Sequence, residues 1–143
     1  AMASSGPGSI HFLGPIYDEH RLHAEYQKAS IFAYPSLAES GEAMGLAPLE
    51  AMAFGAVPLV SSLACFTDFI TDGTNGVVFD HRSHDSVSVL ASSLLSLTSD
   101  SLRLYRLSRE ALLVRQTHHP SQIAQQMLEC FCDISPSYTK ASL

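Results

Sequence analysis

Residues 35–62 read PSLAESGEAMGLAPLEAMAFGAVPLVSS, and the punctuation of that stretch decides the fold class. Just before it, Ile31 to Tyr34 has the short apolar composition of a buried strand, stopped by Pro35 and Ser36. Leu37 to Gly45 carries two glycines, Ser40 and two glutamates, the makings of a loop. Leu46 to Phe54 is rich in helix formers, holds Pro48 where a first turn tolerates it, and stops at Gly55, as helices commonly do. Val57 to Val60 is then a second strand. Strand, loop, helix, strand is the unit of a parallel α/β sheet.

The same alternation extends outward. Upstream, Ile10 to Leu13 reads as a brief strand ended by Gly14 and Pro15, and Asp18 caps a helix with Leu22, Tyr26 and Ala29 at helical spacing. Downstream, a short helix is expected over Phe66 to Thr71, a turn over Asp72-Gly73-Thr74-Asn75-Gly76 and a strand over Val77 to Phe79. From Asp85, the residues Val87, Leu90, Ala91, Leu94 and Leu95 predict a helical stripe. A second helix follows Asp100 with Leu102, Tyr105 and Leu112. Ser121 is expected to cap a last helix with Ile123, Ala124, Met127, Leu128 and Phe131 on one apolar face, closed by Ser135-Pro136. The reading is a Rossmann-like α/β domain, a parallel sheet with flanking helices, over residues 10–134. Residues 1–9, AMASSGPGS, read as a tag or flexible leader and residues 135–143 as a tail.

Composition narrows the function. The 143 residues carry eight Lys and Arg against fourteen Asp and Glu, a formal charge of −6, with no basic block to neutralise a run of phosphates. Nucleic acid is thereby a poor partner. No apolar run reaches membrane-spanning length; even Leu46 to Val60 contains Glu50 and two prolines. Cys65, Cys130 and Cys132 would leave an odd thiol after one disulfide, so reduced thiols and a cytoplasmic location are expected.

The chemistry concentrates between Leu37 and Glu50. In open α/β sheets ligands bind beyond the carboxyl ends of the strands, where the N–H groups and positive dipole end of a helix attract an anion. Gly45 at the helix mouth would let a ligand approach the backbone. Glu50, about one turn in, leans back toward the same crevice and offers two acceptor oxygens to a vicinal diol. Glu42, eight positions earlier, cannot share a helix face with Glu50, so only a loop from Ala43 to Gly45 turns both toward one pocket. The plain alternative for Glu50 is a first-turn glutamate that meets the dipole and bonds a free N–H.

At these residues the chain resembles the carboxyl-terminal domain of GT-B glycosyltransferases, especially the retaining family 4, or group 1 type. The resemblance lies in the E-x7-E pattern of Glu42 and Glu50 within GEAMGLAPLEAMAFGAVPLVSS, with HFLG and IFAYPS upstream, and runs from about Ile10 to Phe131. It implies that Glu50 binds the ribose hydroxyls of a nucleotide-sugar donor. It further implies that Glu42, as the catalytic residue, and the backbone at Ala43, Met44, Gly45 and Leu46 contact the donor sugar and pyrophosphate. The donor is a substrate; no metal and no cofactor are implied.

The chain departs from the pattern in three ways. Ala43 and Met44 stand where the family most often has Gly or Ser and then Phe, and Glu39-Ser40-Gly41 lengthens the loop. The family's domain also begins with two further βα units, which bring an Arg and a Lys onto the pyrophosphate, and its acceptor-binding amino-terminal domain precedes them. Without these the chain is a donor half-site, expected to be inactive alone. The family's strand order leaves Ile31–Tyr34 and Ile10–Leu13 each short of a neighbour, which predicts a homodimer through strand edges or a swapped strand. The rival reading is a non-catalytic structural or phosphate-binding module that dimerises through those edges. A receiver-like or flavodoxin-like domain would need acidic metal ligands or a flavin loop after Ile10–Leu13, and neither is present.

Other polar residues read more plainly. Glu39 is a solvated loop charge. His81 and His84 beside Asp80 and Asp85, and His20 with His23, sit in polar connections without a zinc-enzyme pattern and read as solvated histidines. His118 and His119 mark a helix end, and DGTNG is a turn rather than a nucleotide loop.

Overall fold

The computed structural model describes residues 8–40 and 45–134. Three parallel strands, β1 (Ile31–Tyr34), β2 (Val57–Ser61) and β3 (Val77–Phe79), lie in the order β1-β2-β3. Ile31 to Tyr34 pair with Val57 to Val60, and Leu59 to Ser61 with Val77 to Phe79. β2 is buried along its whole length, which is why VPLVS is apolar nearly throughout instead of alternating. The described residues form six α-helices: α1 (Glu19–Lys28), α2 (Leu46–Ala53), α3 (Ser86–Ser99), α4 (Ser101–Ala111), α5 (Val114–Thr117) and α6 (Pro120–Ile134).

Side chains of a strand alternate between faces, and the core divides accordingly. Val57, Leu59, Val77 and Phe79 meet Leu97 of α3 and Leu107 of α4 on one face. Val60 meets Met52 of α2, Phe66, Phe69, Ile70 and Val114 on the other. A third cluster, Tyr26, Ala51 and Ala56 with Phe32 against them, packs α1 onto α2 and β1. Each fully buried large side chain contributes about 1.5–3 kcal/mol relative to exposure.

The helix ends follow the expected chemistry. The Arg21 amide donates to the Asp18 carboxylate, and Asp85 and Asp100 accept in the same way from Ser88 and Arg103. Gly55 follows α2 at φ +90°, a conformation only glycine adopts without strain. In the DGTNG turn the Asn75 amide side chain bridges the Thr71 N–H and the Phe69 carbonyl, and Asp72 accepts from the Val78 N–H.

Several expectations are corrected. Ile10 to Leu13 forms no strand: it pairs with none of the described strands, and its apolar side chains stand in solvent, Phe12 at 75% exposure. A strand gains its backbone hydrogen bonds from a neighbour, and none of the described strands supplies them here. In place of a helix over Phe66–Thr71 there is a 3-10 turn at Ala64–Phe66 followed by turns. α3 buries Leu97 and half-buries Val89, Leu90 and Leu94 beside it, leaving Val87, Ala91 and Leu95 exposed. The stripe that α4 turns to the core runs through Leu104, Leu107 and Ala111, not Leu102 and Tyr105. α4 carries apolar residues at helical spacing on more than one face, and the bond from the Ser108 hydroxyl to the Gly55 carbonyl (2.7 Å) holds its rotation. α6 begins at Pro120, a residue suited to the first helical position. Ser121 is thus already inside the helix, its hydroxyl 2.8 Å from His119 Nδ1. The apolar residues Ile123, Met127, Leu128 and Phe131 of α6 are exposed, and Ser135-Pro136 lies outside the described residues. Val114–Thr117 adds a short helix with no clear signal in the sequence.

Candidate functional site

The loops leaving the carboxyl ends of β1, β2 and β3 converge, as the ligand-binding rule for open sheets requires. The first leads from Tyr34 to α2. Gly45 is the N-cap residue of α2, at φ −75° and ψ 77°, and no side chain among the described residues caps the helix. Pro48 has no N–H, so the first-turn amides without an intrahelical acceptor are those of Leu46 and Ala47. Gly45 is required for a close approach rather than for an unusual φ. A Cβ there would lie 2.3 Å from Cε1 of Phe66, whose ring occupies the space beside Cα. The room left by the missing side chain is therefore filled by the core on that side.

Glu50 stands in the second turn of α2 and is exposed. It is too far along to serve as a first-turn glutamate. Its Oε2 instead accepts a long hydrogen bond, 3.4 Å, from the Tyr26 hydroxyl of α1. Tyr26 is buried, stacked on Phe54 and edge-on to Phe32. Burial raises the Tyr26 phenol above its ordinary pKa, and the nearby Glu50 carboxylate raises it further. Glu50 also borders a cleft of about 370 Å³ that runs between α2 and the start of α6, lined by Leu49, Ala53, Val114, Arg115 and His118. Arg115 closes part of it by donating from Nε to the Ala53 carbonyl. Gly45, Leu46 and Glu50 are thus carried on one helix end, while Glu42, Ala43 and Met44 lie outside the described residues.

All three connections contribute to a polar cluster that the sequence did not reveal. Glu39 is the exposed loop charge expected, but it is paired. Its Oε1 lies 2.8 Å from His81 Nε2, and its Oε2 accepts from the Arg82 guanidinium at 2.6 Å. His81 is no solvated histidine: it is buried, with Nδ1 3.1 Å from the Ser62 hydroxyl. Arg82 also donates to the Ser62 carbonyl and hydroxyl oxygens at 3.0 and 3.1 Å. One arrangement satisfies every group: Arg82 donates to Ser62 Oγ, the Ser62 hydroxyl to His81 Nδ1, and His81 Nε2–H to Glu39. The hydrogen bonds from Arg82 and then His81 hold the Glu39 carboxyl below its usual pKa. Glu39 and His81 are 42 positions apart, so neither motif nor periodicity links them. The only sequence sign was the position of Asp80-His81-Arg82 just past a strand's carboxyl end. No group of three or more His, Cys, Asp or Glu among the described residues is placed to hold a metal ion.

The sequence model of the glycosyl transferases group 1 family matches residues 4–111, well over half of the chain. The chain belongs to this family. Among solved structures, HepE of Anabaena, crystallised with UDP and glucose and also with UDP-glucose, is similar at 19% identity and a TM-score of 0.64. The match covers 76% of this chain and 29% of that one. The C-terminal domain of LpcC, a group 1 glycosyl transferase of Francisella tularensis, is similar at 24% identity and a TM-score of 0.59, over 74% of this chain and 51% of that one. At these identities the likeness establishes the shared α/β fold, and the chain spans less than a third of the length of HepE. A comparison with curated proteins finds no match. Among the described residues no helix is long and apolar enough to cross a membrane.

Proposed function

We propose that this group 1 glycosyltransferase chain carries the donor half-site of a retaining enzyme, which moves a sugar from a nucleotide-sugar to an acceptor hydroxyl. The observation that carries the reading is the amino end of α2, opened by Gly45 at the carboxyl edge of the sheet and capped by no side chain among the described residues, with Glu50 one turn behind it on the same helix. The two parts suit the two halves of such a donor. Amides at a helix mouth favour the diphosphate, whereas a carboxylate would repel it and instead accepts from the ribose hydroxyls. In this reading Gly45 and Leu46 meet the diphosphate and sugar, joined from the preceding loop by Glu42, Ala43 and Met44, with Glu42 as the catalytic glutamate at the donor sugar.

In retaining transfer the diphosphate departs from the face on which the acceptor hydroxyl enters, so fixed N–H groups directed at the leaving oxygen stabilise the charge that grows there. Arg82, a cation at this end of the sheet, is engaged by Glu39. Two further cations from preceding βα units and an amino-terminal acceptor-binding domain complete the enzyme in this proposal. The isolated chain is then inactive: loss of one such donor costs roughly 10²- to 10³-fold in rate. No metal or other cofactor enters the scheme, and the setting is the cytoplasm.

The test is a titration of UDP and GDP, free and as their glucose and mannose conjugates, into the chain and into Glu50→Ala, followed by calorimetry. Saturable binding to one nucleotide series that is lost in the variant is the expected result. Binding that survives in Glu50→Ala overturns the assignment of the ribose to Glu50.

A second reading, a non-catalytic module that dimerises, has its own observation: the outer edge of β1 pairs with no strand among the described residues. Light scattering at rising concentration tests it. A dimer that binds neither nucleotide favours it, and a monomer at all concentrations removes it.

A further inference from the structure

We infer that Tyr26 is a positioning residue for Glu50: its hydroxyl holds one carboxylate oxygen and leaves the other directed to a ligand diol. The inference rests on the reading of Glu50 as the ribose ligand.

Three observations converge on it. First, the phenol is the fixed partner. Tyr26 is 7% exposed, packed between Phe32 and Phe54 and joined to the Ala51 and Ala56 cluster, so its ring has one orientation. Second, Glu50 is the adjustable partner, an exposed side chain on α2 with three rotatable bonds. Oε2 faces the Tyr26 hydroxyl at 3.4 Å, so a modest rotation brings the pair to the 2.7–2.8 Å typical of O–H···O bonds. Third, the elements that carry them, α1 and α2, pack on each other through that same cluster, so the geometry is set by the core. A carboxylate on a free helix surface samples several rotamers and loses that freedom on binding. Fixing one oxygen beforehand removes part of this cost.

The arrangement predicts selectivity for ligands with a diol. A phenol that acts through Glu50 affects only binding that uses the hydroxyls, whereas a phenol that merely supports the fold affects every ligand. The experiment measures the affinities of UDP and of 2′,3′-dideoxyuridine diphosphate for the chain, Tyr26→Phe, Glu50→Ala and the double variant. In parallel, 13C NMR follows the Tyr26 phenol in the chain and in Glu50→Gln.

Tyr26→Phe is expected to weaken UDP about three- to tenfold, the worth of one hydrogen bond. The dideoxy nucleotide should be untouched, and Tyr26→Phe should have no further effect once Glu50 is Ala. The Tyr26 titration should move down in Glu50→Gln. Equal weakening of both nucleotides, or none of either while Glu50→Ala abolishes the preference for UDP, overturns the role of Tyr26 and leaves Glu50 as the ribose ligand. A wild-type chain with no preference for UDP overturns the reading of Glu50 itself. In that event an unmoved Tyr26 titration in Glu50→Gln overturns the contact too, and a shifted one upholds it.

Discussion

The segment 41–44 is flanked by two attachments of opposite kind. On its carboxyl side Gly45 is pressed against Phe66, a contact of bare Cα on a fully buried ring. On its amino side Glu39 is tied to His81 and Arg82 by charge-assisted hydrogen bonds at the rim, with the carboxylate about half exposed. The first depends on shape and is indifferent to salt and pH. The second depends on ionisation and is weakened by both. Of the described residues that border 41–44, Gly45 is thus built into the core and Glu39 is under the control of the solvent.

The steric side carries the larger effects. Phe66→Ala is expected to cost about 3–5 kcal/mol, because Phe66 bridges Tyr34 and Phe69 edge-on and its loss leaves a cavity on the face that includes Met52 and Val60. Urea unfolding measures this directly; a loss below 1 kcal/mol would show that the ring is not central. Gly45→Ala forces a methyl into the Phe66 ring and is expected to cost about 1–3 kcal/mol. The two are coupled, so Gly45→Ala combined with Phe66→Leu should cost less than the sum of the single changes. Additive costs would mean that the backbone, not the ring, absorbs the methyl.

His81→Ala lies between the two attachments in kind, since the imidazole is buried although its partners are polar. About 1–3 kcal/mol is expected, from the Ser62 hydroxyl left without its acceptor and the space left behind. His81→Asn, which retains a donor and an acceptor, should recover part of it. Thermal denaturation of both variants at neutral pH decides; equal losses would assign the effect to volume alone.

How much of this was legible beforehand follows the range of the forces. The α2 segment, its glycine ends and the strands on either side were readable because turn chemistry and helix caps act over a few residues, and the Asp18, Asp85 and Asp100 caps stand as local chemistry places them. The pairing of Ile10–Leu13 was not, since a strand exists only with a neighbour. The rotation of α4 was set by a bond from Ser108 to a glycine 53 positions earlier. The site divides along the same line. Glu50 announced itself by its place on a helix behind a glycine loop, but its partner Tyr26 and the whole Glu39, His81 and Arg82 cluster are tertiary events. Glu39 reads as a loop charge from its place in the loop, and its partners, His81 and Arg82, lie 42 and 43 positions away.

The smallest expected effect tests the ionic attachment most directly. The folded chain holds Glu39 below the ordinary carboxyl value of 4.5, so the native state binds fewer protons than the unfolded state between the lowered value and 4.5. Stability therefore rises with pH across that window. The contribution is fully present above pH 4.5 and is lost as the pH falls through the lowered value. Because the carboxylate is half exposed and salt-screened, its share should be smaller than the cost of either Gly45→Ala or His81→Ala. In Glu39→Gln the neutral amide has no proton to gain, so the melting temperature should fall less steeply below pH 4.5 than in the parent chain, and the two curves should converge in acid. Added salt should narrow the gap at pH 7 while leaving the cost of Gly45→Ala unchanged. Parallel curves for the two proteins across the acid range would mean that the Glu39 carboxylate is not held by Arg82 and His81 in solution, and the ionic half of the comparison would fall while the steric contact of Gly45 with Phe66 stood.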